Sequence, residues 1–106
     1  MLKGMTNIYK QAQKMQKDMK RVQNELSELE VDGQSGGGMV KIIVNGKKEP
    51  ISITINEDIF KEDKEMVEDL VLAAMKNALH NADKVSEDKM KAITGGAMPN
   101  LNIPGF

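Results

Sequence analysis

The stretch Met39-Val40-Lys41-Ile42-Ile43-Val44-Asn45-Gly46 and the following Ile51-Ser52-Ile53-Thr54-Ile55 decide the fold class. Residues 39–44 are rich in β-branched side chains and follow three glycines, which is typical of a strand. Isoleucines alternate with polar residues from 51 to 55, which predicts a second strand with one buried and one solvated face. Asn45-Gly46 predicts a type I′ hairpin, since that turn requires a positive φ at both central residues. With a short strand near residues 30–33, we expect an antiparallel sheet of two or three strands.

The segment before the sheet carries an unbroken heptad repeat. Its apolar positions alternate in steps of three and four residues: Met5, Ile8, Ala12, Met15, Met19, Val22, Leu26 and Leu29. This spacing, with good helix formers between the apolar positions, predicts a helix from about residue 3 to 29, roughly 40 Å long. A small domain cannot bury a rod of that length. We therefore expect half of the helix to project or to pack on a second chain.

A second long helix is predicted after the sheet, from near Asp63 to about Thr94. Asp63 is a plausible N-cap, and Ile59 and Phe60 just before it predict a short helical turn anchored to the core. Residues 70–75 are apolar on all sides, which indicates a helix covered on more than one face. We expect one seam of apolar residues to pack in the core or in a dimer interface. From the first helix it contains Met5, Ile8, Ala12, Met15, Met19 and Val22, and from the second Leu70, Ala74 and Ala78.

The predicted fold is therefore α+β, with a long N-terminal helix, a small antiparallel sheet, a long C-terminal helix and a tail. Gly95-Gly96 ends the second helix, so we expect one domain over residues 1–96 and a flexible tail over residues 97–106. Both the projecting heptads and the apolar centre of the second helix call for a partner. A second copy of the chain is the simplest one, which predicts a homodimer.

Composition excludes most catalytic chemistry in this 106-residue chain. It contains no cysteine, one histidine and three aromatic residues, so we expect no disulfide, no thiol chemistry and no paired-histidine metal site. The scarcity of aromatic residues also leaves no stacking platform for single-stranded bases. We predict no catalytic residue, no metal, no cofactor and no small-molecule substrate. The sequence indicates a binding protein and not an enzyme.

A formal net charge of −1 conceals two segments of opposite charge. Residues 1–24 hold six basic residues and one acidic residue, whereas residues 57–69 hold seven acidic and two basic residues. In the heptad frame, every basic residue of the first helix lies opposite the apolar seam: Lys3, Lys10, Lys14, Lys17, Lys20 and Arg21. Such a cationic stripe could follow a phosphate backbone. The competing interpretation is that these outer positions simply carry the lysines that keep a helix soluble.

Four segments together resemble the YbaB/EbfC family of nucleoid-associated proteins. They are Gln11-Ala12-Gln13-Lys14-Met15-Gln16, the run from Gly36 to Gly46, the helix opening from Lys64 to Ala78, and the ending Ser86-Glu87-Asp88-Lys89-Met90 with Thr94-Gly95-Gly96. The resemblance covers nearly the whole chain in the same order. It implies a tweezer-like homodimer that binds double-stranded DNA with little sequence preference in the bacterial cytoplasm.

The sequence is therefore compatible with two functions. The first is a nucleoid-associated homodimer that binds double-stranded DNA through the basic outer faces of its N-terminal helices. The alternative is a protein-interaction module that pairs its heptad helix with a foreign helix. No stretch approaches the length of a membrane span, and no signal sequence is evident, so we expect a cytoplasmic protein associated with the nucleoid and no membrane partner.

Overall fold

The computed structural model describes residues 2–94 and the side chains of residues 6–93. Its elements are α1 (Leu2–Glu28), β1 (Glu30–Ser35), β2 (Val40–Asn45), β3 (Pro50–Ile55) and α2 (Lys64–Thr94), with 3₁₀ turns at Gly36–Gly38 and Glu57–Lys61. The strands form one antiparallel sheet in the order β1-β2-β3. This confirms the α+β prediction with three strands. The tail predicted over residues 97–106 lies outside the described residues.

The main core lies between α2 and the sheet. Three β2 side chains, Val40, Ile42 and Val44, are buried against a row of α2 alanines one turn apart: Ala74, Ala78 and Ala82. Gly33 of β1 lets the two layers approach, because a Cβ there would overlap the backbone nitrogen of Ala78. The small residues of α2 therefore accommodate this chain's own sheet.

The two edges of the sheet differ in their contacts with α2. At the β1 edge, the Asn77 and Asn81 side-chain amides of α2 donate to the carbonyls of Gln34 and Asp32, at 2.8 and 2.9 Å. These bonds occupy backbone acceptors that an edge strand otherwise leaves open. α2 packs over β1 and β2, and β3 forms the opposite edge.

The base of α1 packs on the C-terminal half of α2 in a second, smaller cluster. Val22 and Leu26 are buried there with Met90, and Val85 and Ile93 pack around them. Leu26 lies beside Asp83 and Ser86, whereas Lys14 and Asp18 lie beside Ala92 and Ile93. The two helices are therefore antiparallel, and the N-terminal half of α1 points away from the start of α2. The Cα radius of gyration is 19.3 Å, against about 13 Å for a compact domain of this length.

The structure confirms some local predictions of the sequence. Asp63 caps α2, since its Oδ1 accepts from the Met66 N–H at 2.8 Å. Ile59 is fully buried in the main core, as expected for the short turn before α2. Phe60 was expected to anchor the same turn, but this prediction is wrong, because its side chain faces solvent.

The predicted type I′ turn at Asn45-Gly46 is also wrong. Neither residue has a positive φ, and the left-handed position is Lys48 at φ 67°. The Asn45 N–H donates to the Glu49 carbonyl at 2.9 Å, and this hydrogen bond closes a loop of three residues, Gly46 to Lys48. A left-handed residue at the end of the turn is typical of three-residue hairpin loops. Position 46 requires glycine because α1 approaches it closely: a Cβ there would lie 2.8 Å from the Leu26 carbonyl oxygen.

Candidate nucleic-acid interface

The N-terminal half of α1 presents an open surface. All side chains from residue 6 to 17, which we call the arm, are exposed. Four lysines follow one another at spacings of three and four residues, and all are exposed: Lys10, Lys14, Lys17 and Lys20, here called the lysine stripe. A helix keeps residues at these spacings on neighbouring turns of one side, so the four ammonium groups can face one extended polyanion together.

None of the four stripe lysines takes part in a salt bridge with another described residue. Arg21 differs, because its guanidinium lies 3.4 Å from Asp18 and 3.6 Å from Glu25. Glu25 also accepts from Lys89 of α2 at 3.2 Å. The predicted site therefore contains four lysines that form no salt bridge with a described residue and one arginine that lies between two acidic side chains. The side chain of Lys3 lies outside the described residues.

The predicted seam of α1 changes character along the helix. Ile8 is 68% exposed and Ala12 and Met15 are also exposed, whereas Met19 is half-buried and Val22 is buried in the second cluster. The side chain of Met5 lies outside the described residues. The α2 members lie inside this chain, since Ala74 and Ala78 belong to the main core and Leu70 is half-buried beside it. The exposed part of the seam is thus confined to the arm.

A second apolar surface lies on β3. Ile53 pairs with Ile42 of β2 and so shares the face that α2 covers, yet Ile53 is 52% exposed and Ile51 is 49% exposed. The prediction that these isoleucines form a buried face is therefore wrong within one chain. The reason is that α2 lies over β1 and β2 and does not extend across β3.

The acidic segment lies at the far end of the molecule from the arm. The turn Glu57–Lys61 and the first residues of α2 carry it, whereas α1 packs on the other half of α2. Two of its acidic groups pair with lysines of the same segment, Asp58 with Lys61 and Glu68 with Lys64, at 3.6 and 4.0 Å. The molecule is elongated, 72 Å long and 24 by 17 Å across.

Other types of site find no support among residues 2–94. No group of three His, Cys, Asp or Glu side chains could hold a metal ion there, and His80 is exposed. Neither helix in this part of the chain has the length and apolarity needed to cross a bilayer. The sequence interpretation missed one arrangement, the contact of the β2–β3 turn with α1. Its only local signal is Asn45-Gly46, a dipeptide that by itself predicts a type I′ hairpin.

Comparisons with known proteins show the family to which the sequence is similar. A family model described as the YbaB/EbfC DNA-binding family matches residues 1–98. A nucleoid-associated protein of Caldanaerobacter subterraneus is 50% identical over 104 residues, which are 97% of this chain and 90% of that protein. A nucleoid-associated protein of Thermoanaerobacter pseudethanolicus shows the same identity and coverage.

Among solved structures, the fold is similar to that of an uncharacterized Helicobacter pylori protein. The TM-score is 0.61 at 22% sequence identity, and the match covers 81% of this chain and 96% of the other. At this identity the likeness concerns the fold alone.

Proposed function

Because the chain belongs to the YbaB/EbfC DNA-binding family, we propose that it binds double-stranded DNA through the lysine stripe of α1. The observation that carries the proposal is the row of four exposed lysines that form no salt bridge with a described residue, on a helix that packs on the half of α2 away from the acidic segment. Lysines release condensed counterions when they neutralise phosphates, which supplies binding energy without reading the bases. The family is a DNA-binding family and not an enzyme family.

Low sequence specificity is part of this proposal. The commonest specific contact in the major groove is a bidentate hydrogen-bond pair to guanine, which the planar guanidinium of arginine suits best. The one arginine of the chain, Arg21, already faces Asp18 and Glu25, so it is poorly placed to read guanine. Lysine–phosphate contacts position a protein on the duplex but carry no direct sequence information.

We also propose that the chain acts as a homodimer. Two groups of apolar side chains are exposed in the single chain: Ile8 and Met15 on the arm, and Ile51 and Ile53 on β3. Apolar side chains grouped in this way mark protein interfaces, and β3 is also a sheet edge able to pair with another strand. A two-fold axis at such a surface would give the assembly two arms, each with its own lysine stripe.

The localisation proposed for such a protein is the nucleoid, in keeping with the names of its relatives. The charge separation supports a restricted contact, because the acidic segment would repel a duplex approaching from its end of the molecule. DNA should therefore meet the arms and avoid the start of α2.

The first experiment is a titration of a fluorescent duplex of about 20 base pairs at several salt concentrations. We expect binding that weakens steeply with salt and varies little among duplexes of unrelated sequence. The alternative, a protein-interaction module, is favoured by the exposed seam residues Ile8 and Met15. Absence of duplex binding even at low salt would reject the DNA proposal and leave that alternative.

A further inference from the structure

The turn between β2 and β3 contacts the end of α1. The Gly46 N–H donates to the Leu26 carbonyl at 2.7 Å, and the Asn45 side-chain amide donates to the Ser27 carbonyl at 3.3 Å. Leu26 and Ser27 are among the last four residues of α1, whose carbonyls lack partners within the helix. The turn therefore caps the C-terminus of α1 from a distant part of the sequence.

Asn45 uses its whole hydrogen-bonding capacity in this arrangement. Its Oδ1 accepts from the N–H groups of Lys47 and Glu49, both at 2.9 Å, and its Nδ2 donates to Ser27 and to the Glu49 carboxylate. An asparagine amide offers two donors and two acceptor lone pairs, so none is left over. The residue is only 6% exposed, although it stands at the end of a hairpin.

Further contacts tie the same place to α2. Lys48 of the turn forms a salt bridge with Asp83 at 2.9 Å, and Lys89 of α2 donates to Glu25 of α1 at 3.2 Å. Gly46 lies so close to Leu26 that a side chain at 46 would displace one of the two elements. We call the contact of Asn45 and Gly46 with Leu26 and Ser27 the turn junction.

The turn junction contacts the C-terminal end of α1, so a small tilt of the helix at this end moves the arm by a larger distance. Lys10 is about 24 Å along the helix from Leu26, so a tilt of about 10° at the base moves its Cα by about 4 Å. That displacement exceeds the length of a lysine–phosphate hydrogen bond. Two arms that swing at their bases do not keep a fixed spacing, so the two lysine stripes of the proposed dimer would engage one duplex one at a time.

We propose that Asn45 and Gly46 are positioning residues that fix the direction of α1 relative to the sheet, and through it the number of phosphates contacted at once. This inference rests on the proposed DNA-binding function. A structural consequence can be measured without DNA, so failure of the inference and failure of the proposed function are distinguishable.

The test variant is Asn45→Asp. Its carboxylate can still accept from the N–H groups of Lys47 and Glu49, but it can donate neither to the Ser27 carbonyl nor to the Glu49 carboxylate. Its negative charge also faces the carbonyl end of α1. Gly46→Ala is a second variant, which forces the turn and Leu26 apart without removing a hydrogen-bonding side chain. Ile42→Val is the control, since it removes one methylene from the main core away from α1. Circular dichroism melts establish that each variant is folded.

The structural measurement is a distance between two spin labels, introduced as Gln13→Cys on the arm and Lys76→Cys on α2. The chain has no cysteine of its own, and dilution with unlabelled protein restricts the distance to one chain. We expect a narrow distribution for the unmodified junction and for Ile42→Val, and a broad one for both junction variants. A distribution as narrow in Asn45→Asp and Gly46→Ala as in the control would overturn the inference, whether or not the protein binds DNA.

The functional measurement is the slope of the logarithm of the association constant for duplex binding against the logarithm of the salt concentration. Partial unfolding lowers the concentration of active protein but not this slope, whereas loss of simultaneous contacts reduces it. The eight stripe lysines of a dimer correspond to a slope of about −7, and the four of one arm to about −4. We therefore expect the slope of both junction variants to fall to about half, because one arm engages at a time. A slope equal to that of Ile42→Val would contradict the inference. If the unmodified protein binds no duplex, the proposed function fails and the spin-label distance alone decides on the junction.

Discussion

Neutralising the lysine stripe should reduce the salt dependence of DNA binding by a calculable amount. The change is the triple variant Lys10→Gln/Lys14→Gln/Lys17→Gln. Glutamine has a helix propensity close to that of lysine, so α1 should persist. The three side chains are exposed and form no salt bridge with a described residue, so the fold should lose little stability.

The magnitude follows from the number of ammonium groups. If both arms of a dimer engage all four lysines, about eight phosphates are neutralised, and affinity should fall about 10⁴-fold between about 50 and 200 mM salt. The triple variant keeps only Lys20 on each arm. About two contacts then remain, and the same change of salt should weaken binding only about 10-fold.

The assay is fluorescence anisotropy of a labelled duplex over that salt range, with dimerisation checked by sedimentation. The matched control, Lys41→Gln/Lys76→Gln/Lys84→Gln, removes the same charge from exposed positions on the body. The control should retain the wild-type slope. Equal slopes for wild type and the stripe variant, or a larger loss in the body variant, would refute the assignment of the stripe.

Three further predictions concern the fold and the dimer. Gly33→Ala should lower the free energy of unfolding by about 3 kcal/mol, because the added Cβ meets the α2 backbone. Gly37→Ala has open space around it but φ 66°, so it should lower the free energy of unfolding by only about 1 kcal/mol. Urea unfolding measures both losses, and equal losses would contradict the packing argument. Asp63→Ala should remove the α2 cap and about 1 kcal/mol, lowering Tm by about 5 °C in a thermal melt, and an unchanged Tm would show that the cap adds nothing. Ile51→Ser/Ile53→Ser should yield a folded monomer by light scattering and circular dichroism, and a persistent dimer would place the interface elsewhere.

Patterns that depend on one element at a time could be read from the sequence. The heptad repeat and the Asp63 cap located both helices, because helical periodicity and capping depend on neighbouring residues alone. The same holds for the alternation that located β3. These signals also sufficed to predict the α+β class.

What the sequence did not reveal depends on contacts between distant segments. Asn45-Gly46 resembles a two-residue turn, but glycine is needed there because Leu26 lies against it, and no local pattern contains that fact. The alternation at Ile51 and Ile53 predicts an apolar face, but only the position of α2 shows that this face stays open within one chain. Likewise, the heptad repeat is uniform along α1, and the packing of α2 determines which half is buried.

The central claim is that DNA contacts the outer face of α1, and a backbone amide NMR titration with a duplex tests it most directly. Duplex added to ¹⁵N-labelled full-length protein should shift amide resonances along α1 around the lysine stripe. Resonances of the turn Glu57–Lys61 and the start of α2 should stay in place. Shifts concentrated on the sheet or on α2, with α1 unchanged, would contradict the account.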